Sequence, residues 1–179
     1  MQTTAAIADA LDRVRIILHN NLVDLTAEEL VKEPHPPIGW LAWHIARVQD
    51  TNISGLQGKE QVWVDEGWHK KFGMPVDPRD YSPGHVQTPE VVGAFRAPDA
   101  QTILDYHDAV RVRTLAYLDT LSETDLDRVL DEPRFNPLPT VGVRLVSVCE
   151  DNLQHAGQVA YLRGLMREGG WYPNRPKPQ

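Results

Sequence analysis

A single cysteine, Cys149, stands in the whole chain, so no intramolecular disulfide framework can hold this fold. Its place between Val148 and Glu150, inside a run with helical periodicity, makes it a packed thiol rather than a nucleophile. Basic charge is also scarce: 18 Lys and Arg face 25 Asp and Glu, leaving a net charge of -7 and a sequence pI near 5.4. The basic residues are scattered, and a nucleic-acid partner needs them gathered on one face, so that partner class is excluded. No apolar run approaches the roughly 18 residues of a membrane span, and Met1, Gln2, Thr3 and Thr4 open the chain with no basic run ahead of an apolar one. The expectation is a soluble, cytoplasmic protein with no membrane partner. Glycine-rich phosphate loops are missing, and Ser54, Ser82, Ser122 and Ser147 lie in no nucleophile elbow. Runs of alternating apolar and polar residues beyond a few positions are missing too, which removes strands from the reading.

What is present is helical period. With 179 residues and 41% hydrophobic content there is enough apolar surface for one core, and residues 1–179 read as one domain. Ile7, Leu11, Val14 and Leu18 mark a first long helix from about Thr4 to Asn21, and Thr26 with Glu29 caps a short one near Leu30. Pro34, Pro36 and Pro37 break the chain before a second long helix begins at Ile38, carrying Leu41, Ala42, Ile45, Val48, Ile53 and Leu56 to about Gly58. From Gly58 to Thr88 runs a connection much longer than bundles use. It holds Trp63, Trp68, His69, Phe72, Tyr81 and His85 and is expected to fold back as a lid. After a start at Thr88, a third long helix resumes from Asp99 with Ile103, His107, Val110, Tyr117 and Leu121 on one face. Ser122 and Asp125 suggest a capped turn, and Thr140 caps a fourth long helix that runs to about Arg167 and stops at Gly169 and Gly170. Helices of this kind bury their stripes against one another, so the fold class is an all-α four-helix bundle. The middle connection is expected to cross one end, with short capped turns elsewhere.

The fourth helix carries an anomaly. Val148, Asn152, His155, Val159, Leu162 and Met166 recur at the spacing of a core-facing stripe, with Asp151 one turn before His155. Burying an unpartnered polar side chain costs roughly 1 to 3 kcal/mol, so these groups either bond one another or bind something. Asp151 and His155, at i and i+4, stand about 5 to 6 Å apart at Cβ and can share a metal ion. A third ligand is wanted from another helix, and His44, at the edge of the second helix's stripe, is the best donor. Two imidazoles and a carboxylate suit zinc, nickel or iron with open positions for water or substrate. Equally, a histidine bonded to a carboxylate on its own helix satisfies both without metal. His107 is the rival ligand, Asn152 reads as an interhelical hydrogen bond, and His19, His35, His69 and His85 read as surface residues, the last two within reach of the site if the aromatic connection closes.

The stretch "WLAWHIARVQD" around His44, with the downstream "EDNLQHAGQVAYLRG", resembles the DinB-like superfamily of metal-binding four-helix bundles over nearly the whole chain. The resemblance implies a zinc or nickel site held by His44, Asp151 and His155. Asp151 is a departure, one methylene shorter than the glutamate often found there, and neighbouring Glu150 is turned about 100° off the stripe. Characterised members include thiol transferases, a thiol-dependent isomerase and proposed hydrolases. The implied function is therefore a metal-dependent enzyme for thiol (S-)transfer or hydrolysis, with a small-molecule substrate, a low-molecular-weight thiol as a second candidate cofactor and a homodimeric partner. The metal would generate an anionic thiol or water near neutral pH. The competing expectation is a non-catalytic dimeric binding or stress-response module whose polar cluster only satisfies the core.

Overall fold

The computed structural model describes residues 2–33, 36–76 and 88–167. Four long helices dominate: α1 (Thr3–Leu22), α3 (Ile38–Gln57), α7 (Ala100–Leu118) and α9 (Val141–Arg167). Between them lie α2 (Ala27–Leu30), α4 (Val62–Asp65), α5 (Trp68–Phe72), α6 (Pro89–Ala94) and α8 (Glu123–Leu126). No strand occurs among the described residues, so the chain is all-α. The local stop and start signals act as their chemistry requires. Thr26 and Glu29 form a capping box on α2, Ser122 and Asp125 form one on α8, and Thr140 Oγ1 accepts the Val143 amide at the start of α9. Asp99 caps α7 by accepting the Thr102 amide, and Gly58, with φ of 63°, closes α3 in the left-handed region. Gly169 and Gly170, expected to stop α9, lie outside the described residues.

Side-chain pairs fix the directions. Arg163 of α9 holds Asp24 just past the end of α1, while Ile7 and Leu11 share a cluster with Val141 and Leu145, so α1 and α9 are parallel. Arg15 pairs with Asp108 and Arg111 with Asp12, which makes α1 and α7 antiparallel. Arg144 donates to Asn52 while His44 faces Asp151, which makes α3 and α9 antiparallel. The four therefore run up, down, down, up. Each of α1 and α3 packs on both α7 and α9, so α1/α3 and α7/α9 are the diagonals. The expected connectivity is corrected here: the crossings are made by the segments 23–37 and 119–140, and the long middle connection joins neighbours.

That connection is present between the second and third long helices and rich in aromatics, but its described part is a wall of the core and not a lid. Trp63, Trp68 and Phe72 are buried, with ring centroids 5.4, 5.4 and 6.0 Å from that of Tyr106. Asp50 of α3 anchors it: its carboxylate accepts the backbone amides of Val62 and Trp63 at 2.9 and 2.8 Å, the Ser54 hydroxyl at 3.1 Å and the Tyr106 hydroxyl at 2.8 Å. Arg47 lies 3.6 Å from Asp50, over the face of Trp63, and donates to Gln61. Tyr81 and His85 lie outside the described residues.

Two apolar clusters fill the bundle. Between them is one polar layer, in which Asn152 donates to Gln49 at 3.0 Å, Gln49 to Thr114 at 2.8 Å and Thr114 to the Val110 carbonyl at 2.8 Å. Asn152 thus makes the interhelical bond expected of it.

Candidate metal centre

Counted from Asn152 at the centre of the buried arc of α9, His155 is turned about 60° and Asp151 about 100° to the same side. The arc is broad because α9 packs on both α1 and α3, and its centre is taken by Asn152, Ala156 and Val159. Asp151 and His155 therefore line the groove toward α3 instead of lying in the core seam, with side chains 31% and 23% exposed. That corrects the expectation of a buried pair. His44, on the flank of α3 opposite, is 14% exposed. One ligand atom from each of the three lies within 4.8 Å of the others, and this is the group among the described residues able to hold a metal ion.

Asp151 stands between the rings. Its Oδ1 is 3.6 Å from His155 Nε2 and its Oδ2 is 3.8 Å from His44 Nε2. Those separations exceed a good hydrogen bond. They are close to the edge of a tetrahedron built on bonds of about 2.0 to 2.1 Å, roughly 3.4 Å. Asp151 Oδ2 is buried and accepts no hydrogen bond from the described residues. The shorter aspartate comes within 3.8 Å of both imidazoles, and Glu150 is exposed. The ring planes are set by contacts within the triad and from outside it. Trp40, one turn before His44, stacks on it at 4.6 Å and 17°, and His155 meets His44 edge-on at 4.8 Å and 88°. His155 Nδ1 is 2.7 Å from Gln158 Oε1. Two imidazoles, a carboxylate and partial solvent access are a donor set for one divalent cation, with room for an exogenous ligand.

A profile of the DinB superfamily matches residues 10–159. The chain belongs to the DinB superfamily. Among solved structures, it is similar to the crystal structure of a conserved protein of a locus from Enterococcus faecalis, at 32% identity and a TM-score of 0.84, covering 94% of this chain and 99% of that one. No curated protein matches the sequence. DinB membership accords with the four-helix fold.

The other histidines stand apart. His107, the rival ligand, is 1% exposed within the bundle, and neither ring nitrogen has a hydrogen bond from the described residues. Asp108 Oδ1, at 3.9 Å, is too far to supply one. His19 is half-buried against Asp108, itself held by Arg15. His69 contacts the Trp63 carbonyl at 3.1 Å. His35 lies outside the described residues. Cys149 is partly buried, and that burial pushes its thiol up, as a packed thiol behaves. An open groove of about 670 Å³ lies nearer the start of α9 among Ile7, Leu126, Val143 and Val146; none of its lining residues is a histidine, and volume alone does not make it the site. Trp40 and Gln158 were not anticipated as supports of the triad. Gln158 had a readable signal, since i and i+3 are neighbours on a helix.

Among the described residues, no helix is long and apolar enough to cross a membrane.

Proposed function

We propose that His44, Asp151 and His155 hold one divalent ion, zinc or nickel, and that this DinB-superfamily chain is a metal-dependent enzyme acting on a small molecule by thiol (S-)transfer or hydrolysis. The observation that carries the reading is the convergence of three ligand atoms from two helices within 4.8 Å, around a carboxylate oxygen that nothing described hydrogen-bonds. Bound there, a divalent metal supplies a thiolate or hydroxide near neutral pH. His44 and His155 offer nitrogen donors, Asp151 offsets part of the metal's charge, and Trp40 stacks on the His44 ring. Against a purely structural cluster stands the 3.6 Å and 3.8 Å spacing, which leaves the carboxylate without the hydrogen bonds such a cluster exists to make. A low-molecular-weight thiol as co-substrate, and pairing with a second copy of the chain, belong to the same reading.

Elemental analysis of the purified chain, before and after dialysis against zinc and nickel, tests it beside His155→Ala and Asp151→Leu. About one ion per chain, lost in both variants while both stay folded, is the expected result. No uptake by the wild type, or undiminished uptake by Asp151→Leu, would overturn the assignment. Analytical ultracentrifugation of the same samples reads the pairing.

A further inference from the structure

Gln158 projects from α9 one turn beyond His155, with its amide oxygen 2.7 Å from the ring Nδ1. A carbonyl oxygen can only accept, so the proton of this bond sits on Nδ1 of the imidazole. That choice leaves Nε2 bare, and Nε2 is the atom that faces Asp151 Oδ1 at 3.6 Å. The opposite tautomer would turn an N–H toward the carboxylate and leave Nε2 with no lone pair for a cation. Gln158 is exposed, so its amide satisfies nothing in the core, and removing it leaves no buried polar group behind.

We infer that Gln158 is a positioning residue: it fixes His155 in the Nδ1–H tautomer and so presents Nε2 as a ready ligand for a divalent cation. The inference rests on the metal-binding reading for its purpose, but the tautomer itself does not depend on a metal being bound. Outer partners of this kind orient the ring and raise its basicity toward the metal.

The test compares wild type, Gln158→Leu and Gln158→Glu as full-length chains. The tautomer of His155 is read in metal-free protein at alkaline pH by two-bond 1H–15N NMR, and zinc affinity by competition with a chromophoric chelator. Wild type should show Nδ1–H. Gln158→Leu should populate Nε2–H and bind zinc about ten- to a hundredfold more weakly, while Gln158→Glu, whose carboxylate also only accepts, should restore both. An Nε2–H ring in the wild type, or a leucine variant unchanged in tautomer and affinity, overturns the inference. A wild type that takes up neither zinc nor nickel refutes the proposed function instead, and the tautomer then decides the role of Gln158 alone, Nδ1–H supporting it and Nε2–H overturning it.

Discussion

Replacing Asp50 by asparagine keeps the shape of the side chain and changes only what its atoms can do. One oxygen accepts from Ser54 and the Val62 amide, the other from the Trp63 amide and the Tyr106 hydroxyl. Whichever of the two becomes an amino group then faces one hydroxyl, which can turn round and accept, and one backbone N–H, which cannot. That N–H is left unpaired in a fully buried place, at a cost of about 1 to 3 kcal/mol. Arg47, also completely buried, loses the Asp50 charge beside it at the same time. Breaking a buried pair from one side typically costs about 3 to 5 kcal/mol, and the two losses overlap, so the same range is expected for the whole substitution. Set against a total stability of about 5 to 15 kcal/mol, that is a large share. Urea unfolding measures it, and hydrogen exchange at the Val62 and Trp63 amides should speed up well beyond the global change, because these two open α4. A stability loss below about 1 kcal/mol with both amides still protected would refute this account of how the aromatic segment is anchored.

Burial pushes the His107 imidazole below its ordinary value of 6.5, with Asp108 opposing the shift and His19 and Arg15 adding to it. The unfolded chain therefore takes up a proton that the folded one refuses, and stability should fall as pH drops below about 6.5. In His107→Leu the slope of unfolding free energy between about pH 7 and pH 5 should flatten; an unchanged slope would show that other groups carry it. At Gly39 a Cβ would stand 2.6 Å from the Leu30 carbonyl oxygen, whereas at Gly55 it would meet nothing. Gly39→Ala should lower stability by about 1 to 3 kcal/mol by forcing α2 off α3, while Gly55→Ala should raise it by up to about 1 kcal/mol. Thermal melts of the two side by side check the sign of each.

The elements that the sequence marks chemically are the ones that could be read from it. Thr26 with Glu29, Ser122 with Asp125, and Thr140 act through bonds within a few residues, so their positions locate helix starts directly. The triad was legible because its members sit where polar residues interrupt apolar period. Other features depend on which helix faces which, and period within one helix is silent on that. Arg47 and Asp50 look like a solvated charged turn of α3, and only the packing of residues 59–76 against that side turns them into a buried network. The same ignorance of neighbours put Asp151 and His155 in the core: the stripe on α9 was drawn as if the helix had one partner, whereas it packs on two. The diagonal placement of α1 and α3 has no local signature at all.

The layer of Gln49, Thr114 and Asn152 acts as a length gauge. Apolar side chains of similar size exchange neighbours at small penalty, so a purely aliphatic seam sets the axial position of α9 on α3 weakly. A directional bond between Asn152 and Gln49 is satisfied at one offset only. The offset matters one turn away, where His44 on one helix must meet Asp151 and His155 on the other. Sliding by a single turn, about 5.4 Å, exceeds the whole 4.8 Å span of the cluster. Replacing Gln49 and Asn152 together by leucine is thus expected to leave the fold standing while scattering the donors, detectable as lost metal uptake at undiminished helix content.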